Sequence, residues 1–201
     1  MMDMDDFPGW SNNFSLMWRQ ELSRHASGRV RVKDMGRPIW RAVWTSIPMR
    51  VNELDEWRGH IDALGQSRDT FDAWPKSRCW PIKHPNGTGM TGSAVVSELG
   101  SGNSSLKISG VDGLKLSIGD VIGIGGSVYR VTSATSADPL TPYETGLFSV
   151  APYFWPGVEV NDAITLKQPS VKMVIDPGSV NTDAALNGWG TVSFTSIEAR
   201  P

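Results

Sequence analysis

The residues of this 201-residue chain with side chains fit for chemistry are His25, His60 and His84, the single cysteine Cys79, and the carboxylates Glu98, Asp112, Asp120, Glu144, Glu159 and Asp162. The histidines lie in three different segments, none with a carboxylate, cysteine or second histidine at ligand spacing. A zinc site needs clustered ligands, so the expectation is no metal and no cofactor. Cys79 stands beside Trp80 and Pro81 without a motif for a reactive thiol. No Gly-Lys-Ser/Thr follows a glycine run, and no Gly-x-Ser-x-Gly elbow occurs. Gly110, Gly113 and Gly125-Gly126 therefore read as turns. Two carboxylates across a cleft would hydrolyse a glycosidic bond, the chemistry of a cell-wall hydrolase. Asp112 and Asp120 adjoin Gly, however, Glu98, Glu144 and Glu159 lie two residues from Gly or Pro, and a turn role accounts for them. Aromatic residues offer a different chemistry. Tyr143, Tyr153, Phe154 and Trp155 form one group, and seven of the nine tryptophans fall at or before Trp80. Such rings stack on sugars in a carbohydrate-binding module, or anchor cores and protein interfaces. We expect interface or core here, because Trp18, Trp40, Trp44 and Trp57 share their strand or helix faces with aliphatic residues. The expectation is a protein that is not an enzyme.

The elements that must position these residues are short. The 21 glycines and 13 prolines exceed the roughly 12% share of average usage, and favour many turns between short strands. The net charge of −2 is unevenly spread: residues 14–50 hold eight Lys/Arg against two Asp/Glu. A basic segment of this kind can touch nucleic acid, yet its charges alternate with apolar residues, which favours a solvated face or a subunit contact. A lone cysteine allows no intrachain disulfide. The acidic start at residues 1–8 lacks the basic-then-apolar order of a signal peptide, and no apolar run approaches the ~20 residues of a membrane span. The expectation is a soluble product made in a cytoplasm.

Phe14, Leu16 and Trp18 alternate as one face of a first strand, and residues 23–28 read as a polar connection. Val30 and Val32 alternate with Arg29, Arg31 and Lys33. After the Met35-Gly36-Arg37-Pro38 break a second run, 39–47, completes a hairpin. That run shows Ile39, Val43 and Ile47 on one face and Trp40, Ala42 and Trp44 on the other, so a cover is needed on both sides. From Asn52 the period becomes helical: Leu54, Trp57, Ile61 and Leu64 predict a helix over about 53–64, with Asn52 as N-cap and Gly65 closing it. A short strand at 70–74 ends at Pro75, and His84-Pro85-Asn86-Gly87 is a turn. From 93 to 166 short strand-like pieces recur at 106–108, 114–118, 121–124, 128–131, 147–150 and 163–166, punctuated by glycine. This predicts a small antiparallel barrel. Longer strands return at 171–175 and 191–197, separated by a loop at 176–190.

The organisation expected is a first domain of residues 1–92 and 168–201, interrupted by an inserted β module at 93–167. Ile39, Trp40, Val43, Trp44 and Ile47 are the candidate core or subunit-interface residues.

The ordered pattern Arg29-x-Arg31-x-Lys33-Asp34-Met35-Gly36, Trp40, Ile47-Pro48-Met49, Trp57, Leu64-Gly65 and Thr70-Phe71-Asp72-x-x-Pro75 resembles a family of tail-tip proteins of long, non-contractile-tailed bacteriophages. Gly119-Asp120-Val121-Ile122-x-Ile124, Tyr129-Arg130-Val131, the 148–152 segment and Ser193-Phe194 extend the resemblance over about 16–198. It is similar to the distal tail protein. The resemblance implies a mainly β fold: a tail-tube-like β-sandwich or split barrel with one flanking helix and an inserted small β-barrel. It also implies a structural virion protein forming a ring, a homo-hexamer, at the tail tip or baseplate. The expected partners are other copies of itself, the tail tube protein, and the hub or receptor-binding proteins of the tip. DNA would pass only in transit through the channel, without membrane insertion. The alternatives are a carbohydrate-binding module for a bacterial surface glycan and a cell-wall hydrolase.

Overall fold

In the computed structural model, residues 4–65, 67–137, 141 and 143–199 are described, apart from the side chains of Ser11 and Asn12. The fold is mainly β. The chain opens with β1 (Gly9–Met17), β2 (Gln20–Arg24), β3 (Val30–Asp34), β4 (Ile39–Ser46) and β5 (Met49–Arg50), then helix α1 (Val51–Ala63) and β6 (Phe71–Ala73). Eight short strands follow: β7 (Thr91–Leu99), β8 (Ser105–Asp112), β9 (Lys115–Leu116), β10 (Val121–Ile124), β11 (Ser127–Val131), β12 (Thr135–Ser136), β13 (Phe148–Ala151) and β14 (Ile164–Thr165). The chain then returns through β15 (Val171–Ile175), β16 (Asn181–Ala184) and β17 (Trp189–Glu198).

The first sheet runs β1-β4-β17-β15-β6, with β5 and β16 also paired to β17. Its inner face follows from strict alternation. Trp40, Ala42, Trp44 and Ser46 of β4 point the same way as Val192, Phe194, Ser196 and Glu198 of β17, and all are buried. Phe7 closes over this face, edge-on to Trp44, Trp57 and Phe194 at centroid distances of 6.3, 5.2 and 5.6 Å. Edge-to-face pairs of this kind add to what burial alone contributes.

Helix α1 covers part of the same face with Leu54, Ile61 and the partly buried Trp57. The helix begins at Val51, with Arg50 as cap, not at Asn52. Strand β5 pairs with β17 up to Arg50 and delivers the chain straight into the helix, and the Glu53 carboxylate accepts from the Arg50 N–H at 3.1 Å. At the other end Gly65 adopts φ +58°, the left-handed conformation expected there.

The second sheet, β14-β10-β11-β13-β8-β7, is antiparallel throughout and nearly closes into a barrel. Its ends meet where Val95 bridges Ala163, reinforced by Val96 N–H to Asp162 O and Asn161 N–H to Val96 O. Val96, Leu106, Ile108, Ile122, Tyr129, Val131 and Phe148 fill it. The two-residue turn between β10 and β11 places Gly125 and Gly126 at φ +57° and +74°, the pair of positive angles that a tight hairpin needs. That turn, not a phosphate cradle, explains the glycine pair.

Several expectations are corrected. Strand β3 pairs with β2, in part of the stretch read as a polar connection, and β4 pairs with β1 and β17. One apolar residue in Gln20–Arg24, Leu22, gave no periodic signal. The first strand ends at Met17, and Trp18 is exposed. Residues 176–190 contain β16, which forms a hairpin with β17, and β7 begins before the expected module. Within the proline-containing 137–145 segment, Pro139 and Pro142 lie outside the described residues.

Candidate functional site

Groups suited to chemistry occupy structural positions. His84 is buried. Its Nε2 accepts from the Lys115 N–H at 2.8 Å, so Nδ1 carries the proton donated to Thr88 O at 2.8 Å. His60 leans on the Trp57 ring, and His25 sits exposed at the tip of the β2–β3 hairpin. Asp120 is buried and accepts from the N–H groups of Ser117 and Ile82, clamping the turn before β10. Asp162 accepts from the Glu159 N–H, and Glu144 from the Ser97 hydroxyl. Among the described residues, no group of three or more His, Cys, Asp or Glu side chains is placed to hold a metal ion.

The five candidate residues of β4 and its end divide by face. Trp40 and Trp44 are fully buried. The Trp44 indole N–H donates to Ser196 Oγ at 2.8 Å, and the Trp40 indole N–H donates to Val128 O at 2.7 Å. Both are core anchors of this chain. Ile39 and Val43 lie on the opposite face and are half-buried, while Ile47 is 48% exposed. That outer face continues through Met17 of β1 and Val174 and Ile197 of its neighbours, interspersed with Thr45, Ser193 and Thr195 and with the exposed cations Arg41 and Lys172. Among the described residues strand β1, nine residues long, pairs with no strand but β4, and its Phe14 carbonyl is capped by Arg130.

The junction between the two sheets is built from arginine and aromatic rings. The Arg130 guanidinium lies 5.0 Å from the Trp40 ring centroid and donates to Phe14 O at 2.7 Å. Burial, and then repulsion from Arg78, lowers its pKa. Arg37 is 5% exposed and packs on Trp155, Tyr129 and Tyr153, with centroids 4.6, 5.4 and 5.7 Å away. None of its three guanidinium nitrogens meets a hydrogen-bond acceptor among the described residues. Burial lowers its pKa, opposed by the nearby Tyr129 and the buried Glu198. Trp155, a candidate sugar platform in the sequence, thus has one face turned to an arginine.

The feature that sequence reasoning missed is the β2–β3 hairpin. Among the described residues it pairs with nothing but itself, and all ten of its strand residues are exposed. The alternation of Val30 and Val32 was visible in the sequence, but exposure of that face was not.

No protein-family model and no curated protein matches the chain.

Proposed function

We propose that this chain is a structural subunit of a phage tail tip, assembling as a ring that joins the tail tube to the receptor-binding apparatus and continues the DNA channel. In this reading residues 1–92 and 168–201 form a tube-like β-sandwich unit, and residues 93–167 form an inserted barrel that projects from it. The observation that carries the reading is the first sheet. One face is sealed by aromatic residues and a helix, while the other carries half-buried Ile39, Val43, Val174 and Ile197 beside the edge of β1 that meets no strand among the described residues. An unpaired strand edge is a liability in a monomer, and it and the apolar residues of a mixed outer face are both satisfied when identical copies stand side by side around an axis. The chemistry-bearing residues, held in turns and cores, support a mechanical role. The native mass of the purified chain tests this. A hexameric ring gives six times the 21.9 kDa of one chain, whereas a stable monomer at micromolar concentration contradicts it.

A carbohydrate-binding module has one observation in its favour, the partial exposure of Tyr153 and Trp155 at 47% and 37%. It requires glycan binding that disappears in Trp155→Ala while the native mass stays that of one chain.

A further inference from the structure

Where the two sheets meet beside β1 there is a cleft of about 370 Å³, a size that holds small ligands. Its walls come from both sheets. Asn13 and Phe14 belong to β1, Ser77 and Arg78 to the loop after β6, Gly119 to the turn before β10, and Arg130 to β11. Arg130 is half-buried, fixed by the Trp40 ring and the Phe14 carbonyl. Arg78 is exposed, and its Nη1 reaches the opposite wall, 3.8 Å from the place a Cβ would occupy at Gly119.

Two guanidinium groups therefore face one cleft, and like charges repel. After burial, it is Arg78 that lowers the pKa of Arg130, and no carboxylate opposes it. Among the described residues neither arginine forms an ion pair. Asp120, next to Gly119 in the chain, is committed elsewhere: its two oxygens accept from the Ile82 and Ser117 N–H groups at 2.8 and 2.7 Å. The clamp on Phe14 uses one nitrogen of Arg130 and does not call for Arg78 at all.

An anion resolves the repulsion, and the charges select which kind. Guanidinium groups match carboxylate and phosphate alike. A carboxylate neutralises one of the two cations, whereas a phosphate monoester, at about −1.5 to −2 near neutral pH, answers both. The Asn13 amide and the Ser77 hydroxyl stand on the same walls and can donate to the remaining oxygens. Nucleic acid is a poorer match, because it needs a row of cations along its backbone. The next cation on this loop, Lys76, is already bound to the Phe7 carbonyl at 2.6 Å.

We propose that the cleft between Arg78 and Arg130 binds a single phosphate group, inorganic or the monoester of a small molecule, and that the bound phosphate ties the two sheets together. The site is independent of the ring reading above.

Titration calorimetry of the full chain with inorganic phosphate tests it. One phosphate per chain with a Kd below about 10 mM is expected, together with a melting temperature that rises as phosphate is added. Arg78→Gln changes an exposed position, so circular dichroism is expected to stay unchanged while the affinity falls at least about tenfold. Arg41→Gln, exposed on the outer face of β4, is expected to bind as the wild type does. Glycerol 3-phosphate separates the two sources: tighter binding than inorganic phosphate assigns the cleft to a phosphorylated small molecule, and weaker binding assigns it to the free ion. Lack of saturable binding, equal affinity in Arg78→Gln, or acetate bound as tightly as phosphate at equal ionic strength overturns the proposal. None of these results bears on the mass of a ring.

Discussion

Strands β3 and β4 carry the same kind of alternation and meet opposite fates. In β4 the residues Trp40, Ala42 and Trp44 are fully buried, because β1 and β17 flank the strand and Phe7, α1 and β11 cover it. In β3 the residues Val30 and Val32 are more than half exposed, because among the described residues its one strand neighbour is β2. Alternation states that a face needs cover; it does not state which chain supplies the cover. In β4 the supplier is the same polypeptide; for β3 the described residues supply none.

The sharpest way to break this comparison is at Trp44. Trp44→Asp places a carboxylate among Phe7, Phe194 and the Ser196 hydroxyl. Burial of an unpaired charge in the core is expected to leave the chain unfolded, seen as loss of the near-ultraviolet circular dichroism signal. Trp40→Ala comes next. It removes a buried ring together with its hydrogen bond to Val128 and is expected to cost about 3–5 kcal/mol in urea denaturation. A cost below about 1 kcal/mol would mean that the two sheets do not depend on this anchor.

Arg37→Met has the opposite sign. The guanidinium is buried without an acceptor among the described residues, and an unbranched apolar side chain keeps the packing on Trp155 without the desolvation cost. The variant is expected to be neutral or more stable by about 1–2 kcal/mol, and a loss above about 3 kcal/mol would show that Arg37 is engaged as a paired charge. Val32→Ser is expected to have the smallest effect on the monomer, within about 0.5 kcal/mol. If it destabilises the isolated chain as Trp40→Ala does, the β2–β3 hairpin is packed in the monomer and the contrast between β3 and β4 disappears.

The sequence made the elements with strong local signals legible. Helix α1 announced itself through Leu54, Trp57, Ile61 and Leu64, and its end through Gly65. The barrel strands were visible because glycine and Asp120 punctuate them, and the return of the last strand because Val192 and Phe194 alternate. Pairing partners were less visible. Nothing local distinguishes a β3–β4 hairpin from the observed β2–β3 arm, since β2 contributes a single apolar residue and the deciding contacts are made by β17, far along the chain. The Arg37 junction was invisible for the same reason: Arg37, Tyr129 and Trp155 are brought together only by docking of the two sheets. Of the five β4 candidates, periodicity separated the two faces, but only the fold assigns Trp40 and Trp44 to this chain's own core.

Hydrogen exchange at low and high protein concentration tests the central claim most directly. The account predicts that the β1 amides facing away from β4 exchange freely in the dilute chain and slow by at least about tenfold once copies assemble, while those of β4 stay protected in both. Amides on that edge of β1 that exchange equally fast at every concentration would contradict it.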